Sequence, residues 1–172
     1  AGHKDNYHFF DRNEKGEWYR AQAVELWRVI AERFAGDPAI AMFDLLNEPM
    51  CNVPVANRIH SRIWDFYDDC YEAIRKEDPT RMITMIGTWS VDKLPDPKEY
   101  GWENVVYQYH QYDKKESDYT TRIANGWACY YDVPQYAGEF HPVGDKVSLE
   151  YAISAYDSND VVWTLWTYKG YN

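Results

Sequence analysis

The sequence predicts an α/β protein built on a parallel sheet, and three observations carry that prediction. Amphipathic helical stretches alternate with short apolar runs, the rhythm of strands buried on both faces by helices. The 172 residues are 45% hydrophobic and 17% aromatic, enough apolar material to bury one core. Each apolar run also ends in polar or aromatic residues. Parallel strands in a barrel all finish on one rim, so such ends meet there.

Taken in order, residues 1–16 are polar and loop-like. From Glu17 to Phe34, Trp18, Ala21, Val24, Trp27, Ile30 and Phe34 recur every three or four positions, which predicts an amphipathic helix that Gly36-Asp37-Pro38 stops. Ile40 to Leu46 reads as a doubly buried strand. A helix follows over about 55–76, with Ile59, Ile63, Phe66, Cys70 and Ile74 on one face, and Asp78-Pro79 ends it. Strands are expected at 82–86 and 105–109, and a short helix in the stretch holding 120–125 and Trp127. A strand at 135–138, a helix at 147–156 and a strand at 161–166 complete the chain. No repeat, low-complexity segment or linker divides it, so residues 1–172 read as one domain.

Five strands do not close a barrel of this type, which takes eight strands and roughly 250 residues. Left alone, the five would expose two apolar edges, which soluble proteins avoid. The expectation is therefore a partial barrel covering strands four to eight. The first three strands and the last helix lie outside the chain, and another segment or chain supplies the missing strands.

Charge and composition exclude several functions. With 18 Lys and Arg against 28 Asp and Glu the net charge is −10, and no basic stripe is present, so nucleic acid and anionic membrane are poor partners. No apolar run approaches the roughly 18 residues of a membrane-spanning helix. Eight Trp and sixteen Tyr suit a core, and equally suit stacking on sugar rings. Cys51, Cys70 and Cys129 form no CxxC or metal-ligand spacing, so free, buried or half-buried thiols are expected, with at most one disulfide.

Two strings concentrate the chemistry. Leu45-Leu46-Asn47-Glu48-Pro49 and Ala137-Gly138-Glu139-Phe140 each place a glutamate where an apolar run gives way to a turn, 91 residues apart. Asn and Pro in the first string would equally suit the start of a helix, and a lone glutamate at a strand end is ordinarily solvated. On a shared rim, however, two carboxylates can face each other across a cleft. That is what glycosidic-bond cleavage needs, one as acid and one as base or nucleophile. The other strands run into His110 and Tyr112, into Thr88-Trp89 and into Trp166.

Phe43 to Pro49, His110-Gln111-Tyr112, Ala137 to Phe140 and Leu165 to Lys169 together resemble glycoside hydrolase family 5, the cellulase-like (β/α)8, or TIM-barrel, enzymes of clan A. The resemblance covers nearly the whole chain. It implies a retaining glycoside hydrolase with Glu48 as acid/base and Glu139 as nucleophile. Asn47 would bind the sugar 2-hydroxyl, and His110 the substrate or the acid/base region. Tyr112 would hydrogen-bond the nucleophile and Trp166 would floor the sugar site, with Trp89 a further platform or a loop Trp packed on the barrel top. His141 is another candidate for the cleft. His3, His8 and His60 are not assigned to it, His60 reading as a surface residue of a helix. The family's arginine after strand two and histidine after strand three fall outside the chain.

The resemblance implies no cofactor and no metal, a β-linked oligo- or polysaccharide as substrate, and a secreted or periplasmic location. Three readings follow: an endo-β-glucanase, a β-mannanase or exo-acting clan relative, or a non-catalytic carbohydrate-binding barrel.

Overall fold

Five parallel strands pair in chain order, β1 (Met42–Asp44), β2 (Met82–Ile86), β3 (Val105–Gln111), β4 (Gln135–Phe140) and β5 (Val162–Leu165). Each successive pair is joined through a helix: α2 (Ser61–Glu77), α3 (Pro97–Tyr100), α4 (Glu116–Cys129) and α5 (Leu149–Asp157), with α1 (Glu14–Phe34) preceding β1. The computed structural model describes residues 8–89, 93–129, 131–142 and 146–167. The sheet curls into part of a (β/α)8 barrel, with the helices on its convex side.

The local reasons are legible. Asn13 caps α1 by accepting from the Gly16 amide at 2.9 Å, Glu14 and Glu17 occupy its first turn and Arg33 its last. At its far end Arg81 donates to the Phe34 carbonyl at 3.1 Å and pairs with buried Asp78 at 2.9 Å, which ties the end of α1 to the start of β2. The α2 stripe of Ile63, Phe66, Tyr67, Cys70 and Ile74 is fully buried against the sheet. α4 approaches β4 closely because Gly126 has no side chain: a Cβ there would lie 2.1 Å from Gln135 Oε1.

The boundaries differ from expectation where neighbours are few. The first and last strands are shorter than the 40–46 and 161–166 runs, because each lies at an open side of the sheet. β3 and β4 run past 109 and 138, held by the pairs His110↔Glu139 and Gln111↔Phe140. The predicted 55–76 helix is a 3-10 turn at Val55–Asn57 followed by α2, so Ile59 falls before the helix and is exposed. Trp18, expected on the buried face of α1, is also exposed. The helix expected around 120–125 runs over all of α4, and the short α3, capped by Asp96 and started by Pro97, was not anticipated. All three cysteines are free thiols. Burial pushes the Cys70 thiol above its usual range, which makes it unreactive.

Side chains alternate along each strand. Phe43 and Leu45, Ile83 and Met85, Tyr107, Tyr109 and Gln111, and Ala137 and Phe140 are buried, and these face the helices. The other set lines the concave side: Asp44 from β1, Gln108 and His110 from β3 with Tyr112 just past its end, Tyr136 from β4 and Thr164 from β5.

Candidate active site

The segment after β1 makes a tight turn rather than a helix, against the helix-cap reading of Asn47-Glu48-Pro49. Glu48 has φ 41° and Met50 φ 60°, both in the left-handed region that ordinary L-residues avoid. The turn is held by Cys51 N to Glu48 O at 3.2 Å and by Val53 N to Met50 O at 3.0 Å. Thr88, itself at φ 71° and buried, donates its hydroxyl to the Pro49 carbonyl at 2.7 Å and stitches the end of β2 to this turn. Non-glycine residues in such conformations persist only where surrounding contacts hold them, and they cluster at functional sites.

Glu139 reaches the concave side by a different device. Simple alternation from Ala137, which faces the helices, would point Gly138 inward and Glu139 outward. The pairing with β3 instead jumps from Tyr109↔Ala137 to His110↔Glu139, and that with β5 from Ala137↔Trp163 to Phe140↔Leu165. Gly138 is the extra residue, a β-bulge that resets the alternation by one. Glu139 turns inward, and Phe140 goes back into the core against Tyr156 and Trp163.

These devices bring four of the predicted residues together. His110 Nδ1 lies 2.7 Å from Glu48 Oε1 and 3.5 Å from Glu139 Oε2, and the Tyr112 hydroxyl donates to Glu139 Oε2 at 2.7 Å. One ligand-type atom from each of Glu48, His110 and Glu139 lies within 4.8 Å of the other two. Among the described residues this trio alone has three such groups close enough to chelate a cation. Burial first, and then the hydrogen bond and charge of Glu139, push the Tyr112 hydroxyl well above its usual range, so it remains a proton donor.

The remaining candidates end their strands on the same rim with open surfaces. Asn47 is exposed beside Glu48. Trp89 is 38% exposed, Trp166 is 56% exposed, and the Trp166–Thr167 peptide is cis. Trp89 is braced: the Arg58 guanidinium stands 4.8 Å from the centre of its ring and Arg122 donates to its carbonyl at 3.3 Å. Arg58 is itself held by the Val53 and Cys51 carbonyls. His141 is exposed just past β4, and His8 is exposed and bonds Asp11. His60 is half-buried just before α2 rather than on its surface, and His3 lies outside the described residues.

One layer below the rim are polar groups the sequence reading passed over. Gln108, 1% exposed, donates through Nε2 to Asp44 Oδ1 at 2.7 Å. Asp44 is exposed to solvent on the concave side, and the protein beside it still pushes its carboxyl pKa up. Gln108 and His110 oppose that rise, and Glu139 adds to it. The available signal was polarity: Asp44 and Gln108 interrupt runs that are otherwise apolar or aromatic. A separate cavity of about 410 Å³, lined by Phe10, Met50, Val53 and Arg62 among others, lies beside the β1 turn and includes none of the site residues.

Comparison with known proteins agrees with this architecture. The sequence matches the cellulase family, glycosyl hydrolase family 5, over residues 2–172. It is 28% identical over 96 residues to a β-xylosidase of Phanerodontia chrysosporium, spanning 55% of this chain and 19% of that protein. It is 25% identical over 135 residues to endoglucanase H of Acetivibrio thermocellus, spanning 67% of this chain and 14% of that one. Among solved structures, a β-glucanase of Saccharophagus degradans superposes with TM-score 0.68 at 18% identity, over 87% of this chain and 52% of that chain. Endo-glycoceramidase II of a Rhodococcus species gives TM-score 0.72 at 19% identity, over 96% of this chain and 44% of the other. The chain thus spans about half the length of these solved relatives, and less than a fifth of the curated ones. With the family matched over nearly its whole length, the chain belongs to the cellulase family, glycosyl hydrolase family 5.

Proposed function

We propose that these residues carry the two carboxylates of a retaining endo-β-glucanase, within a barrel completed by three further strands from outside this chain. The observation that supports it most directly is the approach of Glu48 and Glu139, within 4.8 Å atom to atom through the trio they form with His110. Retaining glycosidases hold their carboxyls about 5–5.5 Å apart, and inverting ones about 6.5–9.5 Å apart to leave room for a water. The cellulase family membership and the cellotetraose-bound form of the Saccharophagus β-glucanase favour a β-glucan oligosaccharide as substrate.

In this reading ionised Glu139 attacks the anomeric carbon while protonated Glu48 gives its proton to the departing oxygen. A glycosyl ester forms on Glu139. Glu48, now a base, takes a proton from water as that water displaces the ester and restores the original configuration. Tyr112 holds Glu139 Oε2 through its hydroxyl and fixes the attacking oxygen's direction. His110, 5% exposed and in contact with both carboxylates, keeps them in register. Asn47 binds the sugar 2-hydroxyl, and Trp166 and Trp89 offer ring faces to the glucosyl units.

The test is an aryl β-cellobioside assay of the full-length protein, with aryl β-mannoside as the comparison arm. Glu139→Ala should lose several orders of magnitude in turnover and regain part of it with added azide, yielding the inverted glycosyl azide. Glu48→Ala should spare substrates with good leaving groups, which need little proton donation. Equal losses at Glu48 on activated and natural substrates would refute its role. A binding-only barrel would show affinity for the glycan and no turnover in any arm.

A further inference from the structure

We propose that Asp44 and Gln108 are a positioning pair that locks the β4 bulge and so determines where Glu139 is presented; this rests on the reading of Glu139 as the nucleophile. Glu139 faces the concave side only because Gly138 is an extra residue in β4. A bulge needs something to hold it, since the regular ladder is interrupted there. The Gln108 amide fills that role. A Cβ on Gly138 would lie 1.9 Å from Gln108 Oε1 and 3.0 Å from its Cδ, so the end of Gln108 occupies the space a side chain at 138 would take.

The end of a glutamine can ordinarily swing away. This one is 1% exposed, and its Nε2 is held by Asp44 Oδ1 at 2.7 Å, across the intervening strand β2. Asp44 therefore fixes Gln108, Gln108 fills the bulge at Gly138, and the bulge aims Glu139. The two ends of this chain of contacts also carry the two reacting groups. Asp44 is the last residue of β1, four positions before Glu48 in the turn that follows, and Gln108 precedes His110 on the same face of β3. One polar layer below the rim thereby couples the positions of Glu48, His110 and Glu139, although neither Asp44 nor Gln108 touches the reacting atoms.

The test is a double-mutant cycle in the full-length protein, read by kcat, KM and urea unfolding. Gly138→Ala should collide with the Gln108 amide and lower kcat on the order of 100-fold, the loss expected when a reacting group is displaced by about 1 Å, with KM within about twofold of wild type. Gln108→Ala alone should lose on the order of tenfold. In Gly138→Ala/Gln108→Ala the space is vacated, so the double variant should turn over at about the rate of Gln108→Ala rather than at the product of the two losses. Asp44→Asn, which keeps an acceptor for Gln108 Nε2, should retain more kcat than Asp44→Ala. The unfolding midpoints should show the same non-additivity between 108 and 138. Additive effects on unfolding overturn the lock whatever the turnover. Multiplicative kcat losses, or Gly138→Ala at the wild-type rate, overturn the positioning role while Glu139→Ala remains inactive and the functional reading stands. A wild-type protein without turnover overturns the functional reading, and the positioning role with it.

Discussion

Removing the Tyr112 hydroxyl isolates one contact to the proposed nucleophile. The bond from Tyr112 to Glu139 Oε2 is 2.7 Å, in the range of charge-assisted hydrogen bonds. Such bonds contribute about 1.5–3 kcal/mol. Tyr112 is 39% exposed, so water can partly replace the lost donor, and the lower end applies, about 1.5–2 kcal/mol. At roughly 1.4 kcal/mol per factor of ten, Tyr112→Phe should lower kcat/KM on an aryl β-cellobioside by about 10- to 30-fold. The phenyl ring remains, so binding surface and folding should change little. The pH dependence is equally specific. The Tyr112 hydroxyl is pushed up by burial and by Glu139, so it stays protonated across the working range, and the ratio of wild type to variant should be flat from about pH 5 to 9. A loss below about threefold would refute the orienting role. So would a loss that tracks a fall in melting temperature, or an alkaline limb present in wild type and absent in Tyr112→Phe.

The other expectations concern stability and assembly. Asp44 holds its proton to higher pH when folded than its ordinary value of 3.8, so ionising it opposes folding, by an amount that water screens because the residue is exposed: the penalty is absent below about pH 3.8 and complete above the raised value. Asp44→Asn should therefore raise the melting temperature slightly at neutral pH, with the gain disappearing near pH 3; a gain independent of pH would contradict the desolvation argument. Tyr156→Phe deletes the donor to Gln111 Oε1 (2.8 Å, both residues fully buried) and should destabilise by about 1–3 kcal/mol in urea unfolding at unchanged m-value. The 172 residues expressed alone should associate, in light-scattering measurements, through the open sides of β1 and β5, and should be poorly active. A monomeric, fully active preparation would refute the expectation of a barrel completed from outside.

How much of this was legible follows from what each signal encodes. Apolar runs bounded by turn residues mark strands buried on both sides, so β2 matches its predicted limits, while β1 and β5 fall short because the sheet gives each only one strand neighbour. Helical periodicity found the α2 stripe, but it also placed Trp18 and Ile59 in the core. Trp18 is at the helical spacing yet faces water, and Ile59 precedes the helix. Periodicity reports which residues share a face, not whether a neighbour covers that face.

The candidate site tested sequence reasoning harder, and Glu139 shows why. Its position at a strand end made it a candidate, but strict alternation from the core residue Ala137 would have pointed it into the helices. Nothing in Ala-Gly-Glu-Phe announces that Gly138 is an inserted residue rather than an ordinary strand position. That role depends on Gln108, 30 residues earlier on the neighbouring strand, and on Asp44, a further 64 residues back. The glycine is required by a side chain that reaches it through the fold, and local pattern cannot encode such a requirement. Glu48 is reached by the opposite route, a backbone turn at positive φ anchored to Thr88 on the next strand. The two carboxylates meet because two unrelated irregularities, a left-handed turn and a bulge, are each stabilised by a neighbouring strand. The precision of the pair therefore depends on the polar layer below it as much as on the glutamates themselves.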